Sequence, residues 1–595
     1  MLRRFQLSLV LSLTALAVLI WAGSALAATP TLPSSDPFYT YSGSTPLAEV
    51  APGTVLKERS VQIVISGAPA PYTAEQVLYR TTGELGQPTA TVATIIRPLA
   101  PLPSTHLVSY QTFYDALGSE CDPSYTLQGG YSSYSDAQID ATLMESYLQA
   151  GDTVVTADYE GENLDWGAGQ ESGYNTLDAI RAAENALHLA ASTPVGMVGY
   201  SGGSIATEWA SELAPNYAPG LHIVGVAEGG IPVDYAHNLT YVNGDTDGWA
   251  GVIPAVLVGT SRAFGVNLTP YLSAYGQQVT SQVADQCINN FAGNYPGLTI
   301  QQLLKPQYQD FLANPTFASI VNEEIMGTAP GHPTGPLLMA VGNSDGTGDG
   351  VMVAADVEGL AHEYCQQGVA VTFDEYTNLD HEETIAPFES TALAFLQSRF
   401  AGAPAPNGCA SIGTGNALTP LPISSAGGGA RANACPVPSG RLAGNDLGLV
   451  RLGMTRTQAR RAYTHSSTRG RRYEDFFCLS PIGVRVGYAS PKLLRSLPRG
   501  RRRAYSGRVV WASTSDVYYT VRGLRPDTPL SVARRHLRLS KPFPVGRNTW
   551  YLAPAGGSTA VLKVRHGLVE EIGIAYRALT PSSRRADRKF LTSFS

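Results

Sequence analysis

No Cys-x-x-Cys pair, no GxxxxGK[ST] phosphate loop and no glycine-rich dinucleotide fingerprint occurs in these 595 residues. Those absences exclude zinc-ribbon and thioredoxin-like chemistry, P-loop nucleotide hydrolysis and Rossmann-type cofactor binding. After residue 27 no run is apolar enough to span a membrane. Histidine is scarce: seven of the ten stand before residue 400, at 106, 188, 222, 237, 332, 362 and 381, which leaves few side chains able to act as a base near neutral pH. Carboxylates nearly vanish from the last quarter of the chain: from Arg431 onward there are 31 of the 41 Lys plus Arg but only 8 of the 48 Asp plus Glu. The two parts therefore carry about −30 and about +23, a composition boundary that marks two modules.

The first 27 residues read as a signal peptide: Arg3 and Arg4, a Leu/Val/Ala-rich run, then Ala25-Leu26-Ala27 as a small-residue cleavage site. Export agrees with the even number of cysteines, Cys121, Cys287, Cys365, Cys409, Cys435 and Cys478, which predict three disulfides whose pairing spacing alone does not choose. Residues 401–440 are rich in Pro, Gly, Ser and Ala and read as a flexible linker.

Between residues 28 and 400, near-continuous Val and Ile runs alternate with amphipathic helical patterns, as expected for a mostly parallel sheet covered on both faces. The rhythm breaks over about 231–335, too long for a structureless loop and read as an inserted cap over the carboxyl ends of the strands. Within this frame Val195–Ala214 stands out. A short apolar strand runs into Gly199-Tyr200-Ser201-Gly202-Gly203, and a helix follows, the strand–turn–helix context of a nucleophile elbow. A second GxSxG string, Gly342 to Gly346 around Ser344, runs into a glycine-rich loop instead of a helix, so Ser201 is preferred.

A serine hydroxyl attacks a carbonyl only when a base takes its proton, and that base needs a carboxylate to fix its tautomer. In the chain order Ser, Asp, His, the acid should follow the strand after the insertion, where Asp345 and Asp349 stand, and the base should follow the last strand, where His381 stands. The Asp345–Asp349 loop also has the oxygen-rich look of a cation-binding turn, but it lacks EF-hand spacing.

The segments SYQTFYDALGSECDPSY, ADYEG, LDAIRAA, GYSGGSIATEWASELAPNYAP, LHIVGVAEGGIPV and DHEETIAPF, in this order, resemble the secretory lipases of the lipase A type, over roughly residues 39–420. The resemblance implies an α/β-hydrolase fold with an inserted cap, followed here by a small α+β domain. It implies ester hydrolysis with Ser201 as nucleophile and His381 as base. Asp349 matches the acid better than Asp345, because it stands sixteen residues before Cys365. It also implies an oxyanion hole from Asp115 and the backbone N–H of Gly202, and disulfides Cys121–Cys287 and Cys365–Cys409, leaving Cys435 and Cys478 for the basic module. A carboxyl side chain donates to an oxyanion only when protonated, so Asp115 is expected to act partly as a neutral acid. Trp249, Val252, Ile253, Val256, Leu257, Phe264, Tyr271 and Leu272 would line an acyl tunnel or simply form the core of the cap.

From residue 441 the chain repeats loosely: LVRLGMTRTQARRAY and YTVRGLRPDTPLSVARRHL each start a basic helix, and each is followed by β-type runs, suggesting two αββ-like units in one domain. Its basicity fits an anionic cell-envelope polymer, an anionic lipid surface or the acidic face of the first module better than nucleic acid, given export. Taken together, the sequence predicts a secreted serine ester hydrolase, acting on acylglycerols or other carboxylic esters without metal or organic cofactor. Acyl transfer, peptide cleavage, or an inert hydrolase module carrying an envelope-binding domain remain the alternatives.

Overall fold

A computed structural model describes residues 29–422 and 442–594, apart from 132, 464–465, 468–471, 478–483, 516–518, 527, 546–547 and 566. The expected signal peptide, Cys435 and Cys478 lie outside the described residues.

The first module is built on a nine-stranded sheet: β1 (Val55–Val61), β2 (Thr73–Thr82), β3 (Pro88–Arg97), β4 (Leu107–Gln111), β5 (Thr153–Ala157), β6 (Pro194–Tyr200), β7 (His222–Gly229), β8 (Leu337–Asn343) and β9 (Val371–Thr377). Their order across the sheet is β1-β2-β3-β5-β4-β6-β7-β8-β9. The first three are an antiparallel meander, β3 pairs antiparallel with β5, and every pairing from β5 to β9 is parallel. Chain order reverses beside β6, which places the carboxyl end of β6 at a crossover, the position where open α/β sheets form their sites.

The strands are apolar on both sides because both faces are covered. Helices α1 (Ser135–Gln149) and, at the end of the module, Ile385–Phe400 cover one face through Met144, Tyr147, Phe388 and Leu396. Helices α2 (Gly169–Leu187), α3 (Gly202–Tyr217) and Ala354–Gln366 cover the other through Leu177, Ile180, Trp209 and Leu360. The break between β7 and β8 is the inserted cap, a set of short helices beginning with α4 (Tyr235–Tyr241) and α5 (Val252–Ala263). Its Ile253, Tyr271 and Leu272 are buried in the same core cluster as the helices beneath.

The run Val61–Ser66 ends β1 and then supplies a short hairpin strand, Val64–Ile65, paired antiparallel with Ala68–Pro69; the long second strand of the meander is Thr73–Thr82, whose polar positions Gln76 and Thr81 are buried. The expected linker begins later than residue 401: Cys409 is bonded to Cys365, Asn416 donates to the Asp356 carboxylate (2.7 Å), and Leu421 N–H donates to Asn322 (2.7 Å). Composition alone does not reveal these anchors, and the rest of the linker, 423–440, lies outside the described residues.

The second module carries an eight-stranded antiparallel sheet: β10 (Ser466–Ser467), β11 (Glu474–Phe477), β12 (Val484–Tyr488), β13 (Val509–Thr514), β14 (Phe543–Val545), β15 (Asn548–Ala555), β16 (Ser558–Arg565) and β17 (Leu568–Tyr576). Their order is β10-β11-β12-β13-β17-β16-β15-β14, two four-stranded meanders joined at β13–β17. Each meander follows one of the two basic helices read from the sequence, Arg456–Ala462 and Leu530–His536, so each repeat has four strands where the sequence suggested two or three. No helix of the described residues is long and apolar enough to cross a membrane.

The first module buries many carboxyl groups. Glu84 and Glu171 each accept the other's backbone N–H at 2.8 Å, and burial pushes the Glu84 carboxyl up to about 8. Burial likewise raises Asp158 and Glu389 to about 7. A carboxyl whose folded value lies above its unfolded value stabilises fully below the unfolded value, and that stabilisation is lost as pH rises through the folded one. The thermal midpoint is therefore expected to be higher at pH 5 than at pH 8, and Glu84→Gln should remove part of that difference, on the order of 5 °C, in calorimetric scans at the two pH values. A midpoint that rises toward pH 8 would contradict this sign.

Candidate active site

Strand β6 delivers Ser201 to the top of the sheet, and α3 begins at the next residue. Ser201 has φ +52° and ψ −123°, a region costly for a residue with a side chain, which persists only where its surroundings hold it. The Ser201 N–H donates to the Gly229 carbonyl (2.9 Å) and its own carbonyl accepts from Ser204 N–H (2.9 Å). The turn has no spare room: a Cβ at Gly199 would lie 2.2 Å from the Gly203 carbonyl oxygen.

His381 follows β9 and precedes the last helix of the module, and Asp349 lies in the loop after β8. His381 Nε2 is 2.7 Å from Ser201 Oγ, and His381 Nδ1 is 2.7 Å from Asp349 Oδ2. An ionised carboxylate accepts only, so Nδ1 carries the proton and Nε2 is free to accept from serine. The other Asp349 oxygen accepts the N–H groups of Val351 (3.0 Å) and Met352 (2.7 Å), and its backbone carbonyl accepts His381 N–H (3.0 Å). All three side chains are buried. Tyr200 Oη donates to the His381 carbonyl (2.6 Å), and the Trp249 ring meets the imidazole edge-on at 5.2 Å.

Asp345 is turned elsewhere: it accepts from Thr347 and Gly348 N–H groups (2.7 and 3.0 Å) and from Tyr241 Oη (2.9 Å). Ser344 donates to the Gly348 carbonyl (3.3 Å). Among the described residues no group of three His, Cys, Asp or Glu is placed to hold a metal ion.

Asp115 is buried beside Gly202, with its backbone at φ +34°. A Cβ on Gly202 would fall 1.7 Å from Asp115 Oδ1, so only glycine admits this carboxyl against the elbow. Burial pushes Asp115 up to about 7, against the Trp166 indole N–H, which donates to Oδ1 at 2.6 Å, the nearby His381, and the Gly202 N–H. Trp166 escaped the sequence reading; a single Trp in a loop carries no periodic or motif signal. The disulfides Cys121–Cys287 and Cys365–Cys409 are both present, and the first ties the segment after Asp115 to the cap, where Ile288 N–H donates to the Asp115 carbonyl (3.0 Å).

Ser201, Gly202 and Asp115 open onto a cavity of about 600 Å³, mouth included, whose walls are mostly apolar and come largely from the cap. Trp249, Val252 and Val256 line it as the tunnel reading supposed, while Leu257 lines a second cavity of about 350 Å³. The two share Tyr235, Leu239 and Val256 as common walls.

Parallel sheet, elbow and inserted cap define an α/β-hydrolase. The secretory lipase family pattern matches residues 130–408. A probable inactive lipase of Mycobacterium tuberculosis is 33% identical over 382 residues, covering 63% of this chain and 84% of its own. A secreted triacylglycerol lipase of Malassezia restricta is 30% identical, covering 63% and 81%. The crystal structure of Candida antarctica lipase A superposes with a TM-score of 0.59 at 29% identity, over 66% of this chain and 92% of that one. The chain belongs to the secretory lipase family, and its place is extracellular.

Proposed function

We propose that this protein hydrolyses carboxylic esters, acylglycerols first among them, through an acyl-enzyme on Ser201. His381 takes the serine proton as Oγ attacks the ester carbonyl and returns it to the leaving alcohol; water then repeats the sequence to release the acid. Asp349 holds the imidazole tautomer and offsets the charge of the imidazolium. Gly202 N–H and protonated Asp115 donate to the oxyanion, and Trp166 keeps Asp115 in place. The observation that carries this reading is the unbroken Asp349–His381–Ser201 relay, both links at 2.7 Å, at the mouth of an apolar cavity. The apolar lining of the first cavity suits an acyl chain, and the name of the Malassezia relative favours the same substrate class.

The name of the Mycobacterium relative favours a second reading, in which the hydrolase module is inert and the basic module provides the function. Hydrolysis of p-nitrophenyl esters of rising acyl length separates the two. The first reading predicts turnover that peaks beyond butyrate and falls about 10,000-fold or more in Ser201→Ala; equal rates for the two proteins would leave the second.

Asp115 donates only while protonated, so its contribution is full well below pH 7 and is lost as pH rises through about 7. The kcat profile of the wild type should fall across that range, and Asp115→Asn, whose amide stays neutral, should lack that falling limb. Superimposable profiles would remove the acid from the oxyanion hole.

A further inference from the structure

Both faces of the second module's sheet carry cations, but in different number and arrangement. On one face, Arg456–Ala462 and Leu530–His536 pack through Ala459 and Ala533; Arg456 and Arg460 share the Asp475 carboxylate, at 2.6 and 2.9 Å, and Arg461, Arg535 and Arg538 are exposed. The other face is covered by Pro491–Arg495, Arg499–Tyr505 and Arg584–Leu591, seated on Trp511 and Trp550 through Leu493, Leu497 and Phe590. Lys492 Nζ donates to the Thr592 carbonyl (3.2 Å), joining the first of these helices to the end of the last.

Outward, this second face is cationic throughout. Lys492, Arg495, Arg499, Arg501 and Arg503 are exposed on the first two helices; Arg585, Arg588 and Lys589 are exposed on the third. Residues 491–508 contain seven Lys or Arg and no carboxylate, and Asp587, the single acid of the three helices, is buried. Among the described residues none of the eight exposed cations has an ion-pair partner; the hydrogen bonds that tie down this face run to backbone carbonyls. An uncompensated array of this size opposes folding by self-repulsion and creates a positive potential that attracts an external anion.

We infer that this three-helix face docks the enzyme on an anionic lipid surface. Arginine dominates it, and guanidinium binds phosphate oxygens in pairs. Leu494, Leu497 and Leu591 stand half-buried among the cations, an apolar footing suited to the headgroup boundary. Trp511, Trp550 and Phe590 are buried and Tyr505, half-buried, is packed edge-on against Tyr576, so the face presents no row of open rings of the kind on which single-stranded nucleic acid stacks. The inference stands independently of the proposed catalysis, because binding is read without turnover.

The test is co-sedimentation of the full chain with phosphatidylcholine vesicles, with and without phosphatidylglycerol. Binding should require phosphatidylglycerol, disappear near 0.5 M NaCl, where the Debye length is only about 4 Å, and fall about tenfold or more in Arg499→Gln/Arg501→Gln/Arg503→Gln. The charge-matched triple Arg461→Gln/Arg535→Gln/Arg538→Gln on the opposite face should bind as the wild type does. The Lys triple at 499, 501 and 503 should bind too, which separates lost charge from a lost fold. Equal loss in both Gln triples, equal binding to neutral vesicles, or capture by heparin without capture by vesicles would overturn the inference.

Discussion

The hydrogen bond between His381 and Ser201 exists because the serine backbone is held where an isolated chain would not put it. At φ +52° the residue projects its hydroxyl away from the sheet, toward the loops after β8 and β9 that carry Asp349 and His381. What holds it is packing: apolar β6 between two parallel neighbours, α3 starting at once, and glycine at 199, where a side chain would drive strand and helix apart. Sheet order supplies the rest, since the parallel strands all end on the same side and bring their following loops together.

The cap completes the site from outside the sheet. It covers the imidazole with Trp249, contributes most of the cavity wall, and is fastened back to the oxyanion segment through Cys121–Cys287. A second fastening lies on Asp356, which accepts from Asn416 of the tail (2.7 Å) and is 3.0 Å from His237 Nδ1 of the first cap helix. The site is thus enclosed by elements far apart in sequence, and this enclosure is also what raises Asp115 into the range where it can remain protonated.

The elbow was legible because Gly-x-Ser-x-Gly between an apolar run and a helix has a local cause, and the helices whose apolar faces meet the sheet followed their periodicity. The acid was half legible: residues alone left Asp345 and Asp349 open, and the geometry that separates them, an Asx-type turn for Asp345 and two backbone donors presenting Asp349 to the imidazole, is tertiary. Strand β2 escaped because buried polar residues such as Gln76 blur its pattern, and Trp166 because its partner is a carboxyl fifty-one residues away in sequence. In the second module the charge boundary was plain, but neither the joining of two meanders at β13–β17 nor the contrast between its two faces can be read from composition.

The central claim is that one serine, activated by His381, is the nucleophile. Labelling the protein with a fluorophosphonate and mapping the adduct by peptide mass spectrometry tests it directly. The account predicts one phosphonyl group per chain, on Ser201, formed far more slowly when His381 is replaced by alanine. An adduct on Ser344 or another serine, or no adduct at all, would contradict it.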